Sequence, residues 1–181
     1  MESMFRDLKS NEIDCRVSQI KKDWLTLLLY KDARVDQDIL DETVGNMNWQ
    51  RRHSRDNANC EIGIYDENKK DWVWKEDTGT ESFTEKEKGL ASDSFKRAGF
   101  NWGIGRELYT APFIYIPIQD KEGQPNFEIK EVNGKVSTKT AFYVEAIQIT
   151  DKEITALSIK NNKGKKVFVY QKAGVKKETK D

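Results

Sequence analysis

The 181-residue chain predicts an α+β fold: an antiparallel β-meander packed on a long helix, with additional β-strands towards its C-terminal end. Three observations carry this. Runs at 48–54, 60–65 and 72–77 have strand character, with Ile62 and Ile64 alternating with Glu61 and Gly63, and Trp72 and Trp74 with Val73 and Lys75. The polar connectors 55–59 and 66–71 suit turns between neighbouring antiparallel strands. Residues 83–98 then place Leu90, Ala91, Ser94, Phe95 and Ala98 on one narrow, small-residue helical face that allows close approach to a sheet. Glu85 and Glu87 near its start, Lys96 and Arg97 in its last turn and Gly99 after it complement the helix dipole. Finally, apolar runs at 127–131, 141–149, 154–160 and 166–170 are separated by the turn signals Asn133-Gly134, Thr150-Asp151 and Lys163-Gly164.

The remaining elements follow in order. Phe5, Leu8, Ile13, Val17, Ile20, Trp24 and Leu25 lie largely three or four apart, which predicts one or two short helical pieces. Leu27, Leu28, Leu29 and Tyr30 make a short buried segment. Val35, Ile39, Leu40 and Val44 share a helical face, a helix over 36–44, and Gly45 suits the position after it because it tolerates positive φ. Residues 101–109 are compact and glycine-rich, and Pro112 and Pro117 flank the apolar run 113–116. The chain reads as one domain over residues 1–171, followed by a flexible lysine-rich tail at 172–181.

Hydrophobic residues make up 36% and charged residues 34% of the chain, enough apolar material for one core under a highly charged surface. No run approaches the roughly 18–20 apolar residues of a membrane-spanning helix, and the first residues lack a signal peptide's apolar stretch. A cytoplasmic protein with no membrane partner is therefore expected. Cys15 and Cys60 are too few for a disulfide framework and read as buried or half-buried thiols. The 31 Lys and Arg balance 31 Asp and Glu, but unevenly: positions 1–60 carry 10 basic and 11 acidic residues, 61–120 carry 8 and 12, and 121–181 carry 13 and 8. Any polyanion must therefore be held by a local stripe rather than by the whole surface.

Catalytic chemistry finds little material, and no catalytic residue, metal or other cofactor is assigned. His53, Cys15 and Cys60 supply neither a Cys-x-x-Cys nor a histidine pair for zinc. His53 sits among Arg51, Arg52 and Arg55, whose charges depress its basicity, so it reads as a surface strand histidine rather than a triad member. Gly103-Ile104-Gly105-Arg106 lacks the Gly-Lys-Ser/Thr ending of a phosphate loop and follows a helix rather than a strand. Asp66, Asp71, Glu76 and Asp77 cluster around the meander, which keeps a Mg²⁺-dependent nuclease as the enzymatic alternative, although 31 acidic residues make chance clusters common. Basic and aromatic residues interleave more persuasively: Trp49 with Arg51 and Arg52, Lys69 and Lys70 in a turn, and Lys96 and Arg97 beside Phe100, Trp102 and Arg106. Cations that neutralise phosphates beside rings on which bases stack are what single-stranded nucleic acid requires. On composition alone, core aromatics and a helix cap are the stronger reading of the same residues.

Two segments carry a resemblance. Residues 30–49, YKDARVDQDILDETVGNMNW, combine an aromatic, an Arg-Val pair, a helix with its Gly, and a Trp opening the first strand. Residues 74–109, WKEDTGTESFTEKEKGLASDSFKRAGFNWGIGRELY, combine an acidic Asp-x-Gly strand end, a helix ending Ser-Asp-x-x-Lys-Arg-Ala, and Gly-x-Gly-Arg-x-Leu-Tyr. Together they resemble the phage and prophage single-strand annealing proteins of Sak type and the relatives of DNA-damage-response protein A, within the Rad fifty-two / Rad twenty-two recombination superfamily. The resemblance covers about residues 24–116, with a C-terminal β addition at about 125–171.

The resemblance implies a non-catalytic, ATP-independent protein that binds single-stranded DNA and anneals complementary strands in homologous recombination and double-strand-break repair. A DNA-end protector without annealing activity is the alternative within the same binding class. It implies single-stranded DNA and the annealed duplex intermediate as partners, assembly into a homo-oligomeric ring or filament, and host or phage recombination proteins as further partners. Arg34, Lys96 and Arg97 match cations of the family's inner groove, and Lys70, with Lys69 beside it, falls near an outer DNA contact. Eukaryotic members carry a further arginine one turn after the Lys-Arg pair. Phe100 stands there in this chain, and Arg106 is the candidate to supply the charge.

Overall fold

In this computed structural model residues 4–80 and 86–174 are described, the side chains of 86–88 excepted. In chain order the elements are β1 Asp14–Ile20, β2 Trp24–Tyr30, α1 Ala33–Val44, β3 Trp49–Ser54, β4 Asn59–Asp66, β5 Asp71–Thr78, α2 Lys86–Trp102, β6 Ile114–Pro117, β7 Lys130–Val132, β8 Lys135–Ser137, β9 Phe142–Thr150, β10 Glu153–Asn161 and β11 Lys166–Gln171, with 3₁₀ turns at Ser10–Glu12 and Arg106–Thr110. All paired strands are antiparallel. Helices and antiparallel sheets thus coexist as expected. The helices, however, are short, 12 and 17 residues, and neither is the long helix expected. No helix among the described residues is long and apolar enough to cross a membrane.

The chain divides into two compact units, Met1–Asp7 with Asp32–Arg106, and Leu8–Lys31 with Glu107–Asp181. This division does not follow the expected single domain with a core at 24–116, because 24–31 and 107–116 belong to the second unit.

In the first unit β3, β4 and β5 form the meander, with Trp49 opposite Ile64 and Ile62 opposite Lys75. One face carries Cys60, Ile62 and Ile64, all buried, and α2 packs Leu90, Ser94, Phe95 and Ala98 into the same core. The Phe95 ring lies 6.1 Å from that of Trp49. Helix α1 starts three residues before the expected 36, capped by the Asp32 carboxylate accepting the Arg34 N–H, and ends at Gly45 with φ +82°. Helix α2 overruns its expected end at Ala98. Gly99 lies inside it, and a Cβ there would come within 2.7 Å of Oδ1 of the buried Asp36. Its glycine therefore serves the close approach of α1 to α2 rather than termination. Lys96 and Arg97 accordingly do not occupy the last turn. The expected acidic start falls on Glu85, outside the described residues, and on Glu87, whose side chain is likewise not described.

The second unit packs two three-stranded sheets, β1-β2-β6 and β11-β10-β9, around Leu25, Leu27, Ile114, Ile116, Phe127, Phe142, Ile154, Leu157 and Ile159. The helical pieces expected before residue 26 are β1, the start of β2 and one 3₁₀ turn. The reason is a bulge: Cys15 and Val17 pack on the core, the register shifts between Val17 and Gln19, and Ile20 packs on the core next. A step of three inside a strand then imitates helical spacing. The expected buried run at 27–30 alternates instead, with Leu27 buried, Leu28 49% exposed and Tyr30 38% exposed. In place of a strand over 127–131 there is the β7-β8 hairpin, whose turn residues Asn133 and Gly134 have φ of 50° and 75°. The expected tail begins attached, because Lys172 donates its backbone N–H to Thr155 and pairs through its ammonium with Glu153. Residues 175–181 lie outside the described part.

Candidate functional site

The first turn of α1 and the middle of α2 bring cations together. Asp32, at the N-cap, accepts the Arg34 backbone N–H at 2.8 Å and folds the Arg34 guanidinium back onto itself, Nε to Oδ1 at 3.0 Å. On α2, Asp93 accepts Arg97 Nε at 2.9 Å, one helical turn away, and also the Thr80 backbone N–H at 2.9 Å. Lys96 acts on both carboxylates, helping to lower the pKa of Asp32 and of Asp93. For Asp32 the main cause is the Arg34 side-chain hydrogen bond. For Asp93 burial opposes ionisation, but the Thr80 N–H and Arg97 outweigh it and hold the carboxyl below its usual range. Arg34, Lys96 and Arg97 therefore form one group threaded by two carboxylates. Arg34 is 83% exposed in its side chain, so a phosphate can reach it with little loss of hydration. Charge-assisted contact with a phosphate oxygen is the chemistry these groups offer.

Gly79 fixes the strand end against this group. A Cβ there would meet the Ser94 backbone nitrogen at 2.8 Å and Oδ2 of Asp93 at 3.2 Å, so the Asp77-Thr78-Gly79 exit from β5 fits only with glycine at its close.

Phe100, Trp102 and Arg106 are engaged at the end of α2. Arg106 donates Nε to the Phe100 carbonyl at 2.8 Å and Nη2 to the Asn101 carbonyl at 3.1 Å, while its guanidinium lies 5.4 Å from the Phe100 ring centre. Lys75 donates to the same Asn101 carbonyl at 3.0 Å and sits 4.4 Å from the centre of the Trp102 ring, whose Nε1 donates to the Ile62 carbonyl. These cations cap the helix C-terminus, the role expected of Lys96 and Arg97.

The remaining candidates are spread over the meander. Arg51 and Arg52, adjacent on β3, project to opposite faces: Arg51 lies 5.0 Å from the Phe95 ring centre on the helix side, Arg52 4.1 Å from that of Trp74 on the other. Trp74 rests over Gly63, where a Cβ would come within 2.8 Å of its ring, and Trp72 and Tyr65 continue the aromatic row. Lys69 and Lys70 are exposed in the β4-β5 turn, Lys69 3.6 Å from Asp66 and Lys70 at φ 53°. They are not part of the Arg34–Lys96–Arg97 group.

The acidic residues considered for a metal nuclease do not converge. Asp66 faces Asp71 across the turn, where it accepts the backbone N–H groups of Asn68 and Lys69, whereas Asp77 lies opposite Cys60 and receives Asn101. Among the described residues no group of three or more His, Cys, Asp or Glu is arranged to hold a metal ion. His53 is half-buried rather than on the open surface, its basicity lowered first by burial and then by Arg51, with Nδ1 3.5 Å from Ser94 Oγ. Burial pushes the Cys60 thiol up to about 11 and, with Asp14 adding to it, that of Cys15 up to about 12, which leaves neither primed as a nucleophile. Asp32 and Asp93 are the participants that residue-type reasoning misses, since an acid next to a cation reads in sequence as ordinary surface charge.

Comparison with protein-family models, with curated proteins and with solved structures finds no match to this chain.

Proposed function

We propose that this chain is a single-stranded DNA-binding protein that anneals complementary strands without ATP, of the kind its two motif segments resemble. The observation that supports this most is the gathering of Arg34, Lys96 and Arg97, drawn from two helices, about Asp32 and Asp93. Annealing needs no hydrolysis, because pairing and stacking release about 1.4 kcal/mol per base step. The protein's contribution is kinetic. Backbone contact by the three cations is sequence-blind, lowers repulsion between two polyanions, and leaves base edges free to test a partner. Lys96 is the most available of the three: among the described residues its side chain donates no hydrogen bond, whereas Arg34 and Arg97 exchange a carboxylate for a phosphate. One domain offers contact to only a few nucleotides, so a homo-oligomeric ring or filament that strings such contacts together raises occupancy through effective concentration.

The test is annealing of complementary, fluorescently labelled oligonucleotides, with exonuclease protection measured alongside. Wild type is expected to accelerate annealing without ATP, and the Lys96→Ala/Arg97→Ala variant to lose most of that acceleration while remaining folded. A folded double variant that anneals at the wild-type rate overturns the site. Protection of ends without any acceleration by wild type overturns the annealing role, and Mg²⁺-dependent cleavage of the oligonucleotide overturns the non-catalytic reading.

A further inference from the structure

Each arginine of the cation group already holds an oxyanion that belongs to the protein. Arg34 grips Asp32 through two contacts, Nε to Oδ1 at 3.0 Å and Nη2 to Oδ2 at 3.3 Å, the fork that an arginine also makes on a phosphate. Arg97 gives its Nε to Oδ2 of Asp93 at 2.9 Å, and the Thr80 backbone N–H holds the same oxygen in place. Lys96 acts on both carboxylates by charge alone. A phosphate that takes Arg34 or Arg97 must therefore displace an aspartate.

We infer that Asp32 and Asp93 are positioning residues that act as built-in competitors of the DNA phosphates: each returns to its arginine as a phosphate leaves, and so speeds release of the bound strand. This role rests on the DNA-binding reading above and adds regulation to the same site. Strength decides whether such an exchange can run. The side chains of Arg34 and Asp32 are 83% and 52% exposed, those of Arg97 and Asp93 38% and 32%. Ion pairs so open to water are worth little, so they aim a guanidinium without withholding it. Proximity favours the return. Asp32 lies two residues before Arg34 and Asp93 one helical turn before Arg97, so each carboxylate stays at high effective concentration while the DNA moves. Neither aspartate drifts away when its arginine is taken, because each also binds the backbone: Asp32 accepts the Arg34 N–H at the start of α1, and Asp93 the Thr80 N–H. Annealing needs this balance, since a strand must be held until it meets its complement and then let go as duplex.

The test is stopped-flow dissociation of a labelled oligothymidylate from the full-length protein, chased with excess unlabelled strand, with association measured in parallel. Asp32→Asn keeps a side-chain oxygen for the helix cap but loses the charge that holds Arg34. It is expected to slow dissociation about threefold, and Asp32→Asn/Asp93→Asn about tenfold, with association within about twofold of wild type. In an Arg34→Gln background, Asp32→Asn is expected to slow dissociation no further. Asp38→Asn is the control: Asp38 acts on Arg34 through its charge without a hydrogen bond, and its loss is expected to leave dissociation unchanged. Simple removal of negative charge near the DNA would instead speed association, and would do so equally in Asp38→Asn. That pattern overturns the inference, as does slowing by Asp32→Asn that persists without Arg34. Wild type that binds no oligothymidylate overturns the DNA-binding reading itself, whereas wild type that binds, with dissociation unaltered in Asp32→Asn and in the double variant, overturns this inference alone.

Discussion

Asp93 holds the backbone N–H of Thr80 and the guanidinium of Arg97 at the same time, each at 2.9 Å, and so sets where the Arg97 guanidinium points. Its carboxyl is held below the usual range in the fold. Its stabilising contribution is therefore fully present above the unfolded carboxylate value of about 3.9 and is lost as pH falls through the folded value. Asp93→Asn should cost about 1 kcal/mol at neutral pH, discounted for its partial exposure, and should flatten the acid limb of stability measured by urea unfolding between about pH 5 and pH 2. An acid limb as steep as wild type would show that Asp93 is not so engaged. At this scale the cations Arg34, Lys96 and Arg97 are legible from residue type and order. Arg106 is legible as a cation but not as a cap, because its acceptors, the carbonyls of Phe100 and Asn101, exist as unpaired groups only once the helix has ended.

The two helices of the first unit touch where Gly99 faces Asp36, and this contact carries the helix that bears Arg34. Two effects compete in Gly99→Ala. Alanine gains about 1 kcal/mol of helix propensity, but its Cβ would lie 2.7 Å from a carboxylate oxygen of a fully buried residue that cannot swing into solvent. Overpacking of this kind costs about 1–3 kcal/mol. The clash should win, lowering the urea midpoint by the equivalent of about 1 kcal/mol; a variant more stable than wild type would refute the close approach. The meander is legible in the sequence because its three strands pair without a register shift and polar turns separate them. The end of α2 is not, because a glycine that makes room for a neighbour looks the same as one that stops a helix. Nor is β1, because its bulge at Ser18 turns a period of two into an apparent step of three.

For the whole molecule, the chain crosses between the units three times, after Asp7, Lys31 and Arg106, so neither unit is a continuous stretch. Sequence resemblance sees contiguous segments, and its core at 24–116 therefore cuts the second unit apart. A fragment spanning 24–116 would keep β2 and β6 while losing β1, β9, β10 and β11, and would bare Leu25, Leu27, Ile114 and Ile116. It is expected to aggregate in size-exclusion chromatography, whereas a soluble, cooperatively unfolding fragment would contradict the division. The central claim is that cations about α2 grip the phosphate chain. It is tested most directly by the salt dependence of single-stranded DNA affinity in wild type and Lys96→Ala/Arg97→Ala. Each phosphate contact contributes a slope of about −0.7 in log Kobs against log salt. The account predicts a wild-type slope of several units that becomes shallower by about 1.4 in the double variant, and a flat wild-type dependence, or an unchanged slope in the variant, would contradict it.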